Sequence, residues 1–501
     1  MPNQVGFSLV PANAKASGVF IEQQAILGSL GSLIIPQKIA ILGQYNSGKT
    51  PTNNVAVQVL SEADAIQLYG RGSLMHLMVR KVFSGCGNVP VYCIPLADGT
   101  TAALTTLVVN GAATASGTIS LYVAGQRITI PVVVGDSAAA IGTAITAAIN
   151  AAADLPVTAT GTTTVTMTAR NKGAWGNGLT LRQDLAPGEA AAEPVITGGM
   201  TLNAFASGAT DPDPTTALAA LGDTWYTFIV CPYDNIAATT VAIAALEAAG
   251  VARIDPGIKR PFAGVLGNVE TAANLITRAG GRNSPWSAYV NAEGSPNIPG
   301  EIAAAAVGVM AASAQAAPGR PYRYLTLPGI RAGAVANWTY AQRDNVIAAG
   351  GSHSKWNADA TVQLVDVATS YKLNSQGGAD DSWRWIETIA NMQVKIYSME
   401  NLFLATPFSA AIVVDDAAVT GVPYAIRPKT VKAFLIQLID QLWVPLAITK
   451  NRDSVVAGII TEIDSVNPGR INAMVPDVFA AGLRIMAGKI QWSFYPPVVA
   501  A

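Results

Sequence analysis

Four short apolar runs, "KIAIL" at 38–42, "PVYCIPL" at 90–96, "TWYTFIVCPY" at 224–233 and "RPFAGVLGN" at 260–268, punctuate a 501-residue chain. Each is too short for a helix of ordinary length and is rich in β-branched or aromatic residues, so each reads as a buried strand. Helical stretches lie between them. "SEADAIQLYG" carries Ser61 and Asp64 where an N-cap and first turn belong and Gly70 where a helix stops. A second helix runs from about Ser73 to Phe83, a third from Ala237 to Ala249, and a fourth around Glu270 to Ala279. Strands alternating with helices must cover both faces of a sheet, which restricts the chain to a layered α/β core.

The alternation is interrupted. From about Thr100 the texture changes to Thr, Ala, Gly and Val, with few charges, through "GTISLYVAGQRITIPVVVG", "DSAAAIGTAITAAINAA" and "LPVTATGTTTVTMTARNKG". This reads as a hairpin, a helix capped by Asp136 or Ser137, and further strands joined by Gly-bearing turns. The expectation is a compact α+β module inserted into the core. Beyond the core come an Ala-rich helix near Ile302–Ala317, a loop "PGRPYRYLTLPGI", and a closing helix "PKTVKAFLIQLIDQLW" with Pro428 in its first turn and Pro445 as its stop. The ends differ from everything between them. Val5, Phe7 and Leu9 alternate with polar or small residues, and so do Ile490, Trp492 and Phe494 in "GKIQWSFYPP", as in strands that need a sheet to join.

The fold class expected is therefore α/β and α+β, multidomain: a layered α/β core with extended N- and C-terminal arms and an inserted α+β module. The division is an N-terminal arm 1–25, the first part of the core 26–104, the module 105–197, the second part of the core 198–375, a C-terminal domain 376–488 and a C-terminal strand 489–501.

Half of the residues are apolar while only 13% are charged, about half the usual share. A surface so poor in charge points to extensive coverage by partners. With 31 basic against 32 acidic residues and no basic block, the footprint for nucleic acid or anionic membrane is missing. The N-terminus lacks a basic start followed by an apolar run, so no secretory signal is expected. The Ala-rich stretch falls short of the roughly 20 residues that span a bilayer.

Chemistry has one prominent candidate. "GQYNSGKT", Gly43 to Thr50, matches the phosphate-binding loop pattern and follows a strand, as that loop should. The motif also needs a helix N-terminus after the loop to aim backbone N–H groups at phosphate. Here Pro51, Thr52, Asn53 and Asn54 follow, and then Val55, Val57 and Val59 alternate as in a strand. The nearest second carboxylate, Asp234, is separated from its strand by Cys231, Pro232 and Tyr233. A glycine turn between strands is the favoured reading, with no cofactor expected. Only His76 and His353 are present; the first has helix-core neighbours and the second falls in "GGSHSKW", read as a loop. The pairs Asp380–Asp381 and Asp415–Asp416 lie in turn-like sequence without further oxygen ligands at metal spacing. Cys86, Cys93 and Cys231 are odd in number and read as buried small hydrophobes. Neither catalytic nor metal-binding residues are assigned.

Taken in order, the stretches "VLSEADAIQLYGRGSLMHLMVRKVFSGCGNVPVYCIPL", "TDPDPTTALAALGDTWYTFIVCPY", "PGRPYRYLTLPGI", "YAQRDNVIAAGGSHSKW" and "NPGRINAMVPDVFAAGLRIMAGKIQWSFYPP" resemble the contractile tail sheath proteins of myophages, particularly the Mu-like family. Sheath proteins often carry an Arg soon after the "GGS" loop, where this chain has Asp366. The resemblance implies a non-enzymatic virion subunit, assembled in the host cytoplasm as stacked six-subunit rings around a tail tube. Its partners would be copies of itself, the tube protein, and baseplate and tail terminator proteins, without nucleic acid or membrane insertion. Val5, Phe7, Leu9, Ile490, Trp492 and Phe494 are the residues expected to link subunits. A nucleotide-binding protein of the phosphate-loop type and another self-assembling tube or shell protein are the alternatives carried forward.

Overall fold

A computed structural model describes residues 34–233, 241–418, 421–422, 424–490 and 492. The chain enters its core through β1 (Ile39–Gln44), all six residues of which are buried. After the short strand β2 (Val57–Val59) come α1 (Glu62–Tyr69), α2 (Leu74–Phe83) and β3 (Val91–Leu96). Both helices start where their caps dictate: Ser61 Oγ accepts from Asp64 N and Ser73 Oγ from His76 N, while Gly70, at φ +90°, ends α1. A left-handed residue is the ordinary exit from a helix, and glycine takes it without a Cβ clash.

The next hundred residues form strands that pair with one another: β4 (Leu104–Val109), β5 (Gly117–Val123), β6 (Gln126–Val132), β7 (Val157–Thr160), β8 (Thr164–Ala169), β9 (Leu181–Gln183) and β10 (Met200–Leu202). They make a four-stranded sheet in the order β10-β4-β8-β7 and a three-stranded sheet β6-β5-β9. Helix α3 (Ala138–Ala151) packs between them against β4, β6, β7 and β8. Ser137 caps α3; the neighbouring Asp136 instead accepts from Val133 N at 2.8 Å.

The core resumes with α4 (Thr215–Ala219), β11 (Phe228–Cys231), α5 (Val241–Arg253), β12 (Ala263–Asn268), α6 (Ala272–Gly280), β13 (Ser287–Asn291) and α7 (Pro299–Ala316). The six-stranded sheet has the order β13-β12-β11-β1-β3-β2, with every pairing parallel except β2 against β3. Strands of a mostly parallel sheet are covered on both faces, which is why β1, β11 and β12 read as unbroken apolar runs. Two glycines of β12 show the layering. A Cβ on Gly264 would meet the Leu246 side chain of α5 at 2.4 Å, and one on Gly267 would meet the Pro299 carbonyl of α7 at 1.7 Å. Residues three apart on a strand face opposite sides, so α5 and α7 sandwich the sheet. Helix α7 also packs on α2, and thirteen of its eighteen residues are buried.

The remainder comprises β14 (Thr326–Arg331), α8 (Tyr340–Ala348), β15 (His353–Trp356), β16 (Thr361–Asp366), α9 (Ile386–Leu404), β17 (Ile412–Val413), β18 (Ala425–Ile426), α10 (Pro428–Leu438) with a π turn to Trp443, α11 (Arg452–Gly458), β19 (Ile460–Ile463) and β20 (Ile471–Met474). Strands β14, β16 and β15 form one sheet in that order; β17–β18 and β19–β20 are two-stranded. Helix α9 joins two apolar clusters: Ile386, Ile389 and Ala390 face the main core, whereas Val394 and Leu402 face a second core with Leu435, Leu438 and Trp443.

Three readings change. The segment "PGRPYRYLTLPGI" holds β14, and the register shift within β14 accommodates Pro328 and Gly329, as a bulge does. His353 begins β15 and is 2% exposed, not in a loop. No strand forms among the described residues of the C-terminal stretch 480–492. The N-terminal positions Val5, Phe7 and Leu9, together with Asp234 and Phe494, lie outside the described residues.

Candidate intersubunit site

The phosphate-loop match is a turn whose groups are already engaged. No helix follows it; the chain passes from β1 through a turn, with Gly48 at φ +88°, to β2. Lys49 Nζ donates to the Gln67 carbonyl at 2.7 Å, and Asn46 Nδ2 to the Arg71 carbonyl at 2.8 Å. The nearby N-terminus of α2 is closed from a distance: Asn171 Oδ1 accepts from Leu74 N at 2.9 Å while its Nδ2 donates to the Tyr45 carbonyl at 2.7 Å. Gln44 Nε2 donates to Asp98 Oδ1 at 2.8 Å, and burial pushes the Asp98 carboxyl above its usual range although Asn171 and Gln44 hydrogen bonds oppose this. A crevice at the carboxyl ends of parallel strands is where such sheets hold ligands. Here Asn171, Asp98 and Gln44 are hydrogen-bonded to one another and to the backbone.

Asn171 also shows how the segment 104–202 meets the core. Thr180 Oγ1 donates to the Pro296 carbonyl at 2.6 Å, and Gly72 lies so close to the segment that a Cβ there would approach the Leu155 and Ala153 carbonyls at 2.5 and 2.7 Å.

The other chemical candidates are structural. His76 Nδ1 accepts from Gly72 N at 3.0 Å and Nε2 faces Glu62 at 3.0 Å; burial lowers its pKa against that carboxylate. His353 stacks on Trp338 with ring centroids 4.9 Å apart, and burial, reinforced by Arg343 and Lys355, lowers its pKa to about 3. Asp380 accepts from the Tyr371 hydroxyl and from Ser382, and Asp416 accepts from Lys429 N, so both acidic pairs serve turns. The three cysteines are buried and form no disulfide. Among the described residues no cluster of three metal-ligating side chains occurs, and no helix is long and apolar enough to cross a membrane.

What remains is the chain's C-terminal stretch. After β20 it lies in extended form across α9 and is fastened twice. The first fastening centres on Lys395, 5% exposed, which contacts the Asp477 carboxylate and donates to the Ile448 carbonyl at 3.0 Å and to Thr449 Oγ1 at 3.2 Å. Burial disfavours its ammonium; Asp477 and the Phe479 and Trp443 rings, at 3.9 and 5.1 Å, favour it. Backbone bonds from Lys450 N to the Val478 carbonyl and from Ala480 N to the Ile448 carbonyl hold the strap in register.

The second fastening is Arg484. Its guanidinium bridges Asp366, at 2.6 Å, and Glu387, and lies 3.4 Å from the Trp385 ring centroid. Thus Asp366, the position that departs from the sheath pattern, receives an arginine brought from the tail. Glu387 is 5% exposed, and burial raises its carboxyl although Arg484 opposes it. Between the fastenings, α9 and the strap enclose a cavity of about 780 Å³ lined by Trp383, Trp385, Met392, Trp443 and Phe479. Past Arg484 the side chains turn to solvent: Ile485, Met486, Ile490 and Trp492 are 76%, 84%, 90% and 78% exposed.

Of the expected linking residues, the structure thus places Ile490 and Trp492 in this exposed run. The strap and its anchors, Lys395, Asp477, Arg484, Asp366 and Glu387, went unread in the sequence, because each pair joins residues 82 to 118 positions apart.

No protein-family model matches the chain. Among curated proteins, the Mu-like prophage FluMu tail sheath protein of Haemophilus influenzae is 27% identical over 492 residues, spanning 97% of this chain and 99% of that protein. Solved sheath tail proteins from Desulfitobacterium hafniense and Listeria innocua align over 92% and 89% of this chain and 100% and 95% of their own, at 12% and 13% identity and TM-scores of 0.47 and 0.46. A chain of the anti-feeding prophage baseplate aligns over 96% of this chain and 100% of its own, with 11% identity and a TM-score of 0.45. The full-length relationship to the Haemophilus protein defines a structural, non-enzymatic protein of contractile tails. Within that class, the chain is similar over nearly its whole length to a Mu-like phage tail sheath protein.

Proposed function

We propose that this chain is the repeating subunit of a contractile phage tail sheath. Copies stack as six-subunit rings around a tail tube, stay in a metastable extended state, and shorten when the baseplate triggers them, driving the tube through the host envelope. Tube, baseplate and tail terminator proteins are its partners, and the virion tail is its location. Residues 1–25 and 489–501 act as linking arms, 105–197 as the inserted module and 376–488 as the C-terminal sheath domain around a core formed by 26–104 and 198–375.

The observation that carries this reading is the tail beyond Arg484. A run of exposed apolar side chains leaves a pinned point, while the two-stranded β19–β20 sheet leaves Ile460 and Met474 about half exposed. Adding a strand to such an edge uses backbone hydrogen bonds for strength and alternate side chains for register. A head-to-tail contact of this kind that does not close on itself generates a helical array from one chain type. Collective switching then spreads the drive over every subunit, so each needs only a fraction of the roughly 5.5 kcal/mol that would flip an isolated two-state unit. Val5, Phe7 and Leu9 supply the complementary arm.

Electron microscopy of the purified full chain tests the proposal. Wide, hollow, cross-striated tubes are expected. Trimming both ends, to residues 26–488, should leave monomers, and intact tubes from the trimmed chain would overturn the linking role.

A further inference from the structure

Lys395 and Asp477 are arranged as reactants as well as partners. Lys395 Nζ contacts the Asp477 carboxylate, and the two side chains are only 6% and 10% exposed. Most cations that meet carboxylates in this chain are guanidiniums, which keep their charge and are not nucleophiles. Two further lysine pairs, Lys81–Glu301 and Lys259–Glu400, stand at 3.9 Å, and each of those carboxylates also faces an arginine, Arg80 or Arg260. A lysine becomes a nucleophile once its surroundings remove its proton. Burial lowers Lys395 to about 7, and the Phe479 and Trp443 rings, with centroids 3.9 and 5.1 Å from Nζ, flank the nitrogen. One hydroxyl serves both groups: Thr449 Oγ1 accepts from Lys395 Nζ at 3.2 Å and donates to Asp477 Oδ1 at 2.9 Å.

We propose that Lys395 and Asp477 join in an intramolecular amide bond that fixes the strap covalently to α9. A proton passes from the ammonium to Oδ2, which leaves a neutral amine beside a carboxylic acid. The Nζ lone pair then forms a bond to Cγ and pushes charge onto Oδ1. The bond from Cγ to Oδ2 breaks, and Oδ2 departs as water, carrying that first proton and a second one from the nitrogen. The step needs no oxidant, reductant or cofactor. The Thr449 hydroxyl stabilises the charge that gathers on Oδ1, and holding amine and acid in contact supplies the proximity that two free groups in water lack. The water has an outlet, because both residues line the cavity between α9 and the strap. The bond closes the chain between residues 82 positions apart and makes the first fastening permanent, whether or not copies assemble.

Mass spectrometry of the purified full-length protein tests this. Wild type should be lighter than its sequence by one water, whereas Lys395→Arg and Asp477→Ala should keep their full sequence masses; removal of Met1 would shift all three alike. Proteolytic digestion of wild type should yield one branched peptide that joins the segments around residues 395 and 477. That peptide is the decisive readout, since a variant that failed to fold would also lack the bond. Wild type at its full sequence mass, a digest without the branched peptide, or the same loss of water from Asp477→Ala would each overturn the proposal. In a time course of cell-free synthesis, Thr449→Val should form the bond about a hundredfold more slowly, the effect of removing one donor to a developing oxyanion, and Thr449→Ser should match wild type. Bond formation by Thr449→Val at the wild-type rate would overturn the part given to the hydroxyl.

Discussion

His353 is held neutral between Trp338 and the core, with its folded pKa near 3 against about 6.5 in an unfolded chain. As pH falls below about 6.5 the unfolded state takes up this proton first. The stability that the neutral ring represents is complete above that pH and is lost progressively toward 3, by as much as tenfold in the folding equilibrium per pH unit. His353→Phe, which keeps a ring against Trp338, should flatten the acid side of a denaturation profile in this window; an unchanged slope would refute the assignment. A different single-residue constraint holds at Gly267, where a Cβ would lie 1.7 Å from a backbone carbonyl of α7. Backbone cannot swing aside as a side chain can. Gly267→Ala should therefore cost at least about 1–3 kcal/mol, as overpacking does, read as a shift in urea midpoint.

At the scale of elements, the β19–β20 hairpin depends on its connecting turn. Asp464 accepts from Val466 N, Asn467 N and Asn472 Nδ2 at 2.9, 2.8 and 3.0 Å, and these bonds lower its carboxyl to about 2. Its contribution is present above about pH 4, the unfolded value, and fades as pH falls through 2. Asp464→Ala should speed amide exchange in 460–474 at neutral pH, with an effect that shrinks as pH falls from about 4 through 2. Elements were legible where the local sequence held their signals. Helix α1 reads from cap to cap because Ser61, Asp64 and Gly70 lie within ten residues. Helix α9 did not, because it buries Glu387, Asn391, Gln393, Lys395 and Ser398, and polar residues on the inner face erase the apolar periodicity that marks a helix. Strand β13 is only five residues long, and β14 carries Pro328 and Gly329, which argue for a turn on any local criterion. The glycine loop misleads for the converse reason: its motif is local, whereas Asn171, which closes the helix end beside it, lies 97 residues away from Leu74.

At the scale of the molecule, that same contact ties the segment 104–202 to the central sheet. Asn171→Ala removes a buried partner from Leu74 N and Tyr45 and should destabilise the chain by about 1–3 kcal/mol, measured by thermal or urea unfolding. A deletion of residues 105–195 loses Asn171 as well, so it should assemble only if it still folds without this cap; a deletion as stable as wild type would show the contact to be dispensable. The apolar alternation of Ile490 and Trp492 was visible in the sequence, yet the post from which they depart was not, since Arg484, Asp366 and Glu387 meet only after folding. That post has a mechanical consequence. Force applied to the last residues enters the body through a guanidinium held by two carboxylates and a tryptophan face, and passes to β16 and α9 rather than peeling the strap from its end. A pull from a moving neighbour would thus be shared between both apolar clusters that α9 joins, and the subunit would shift as one rigid piece before its tail tore free.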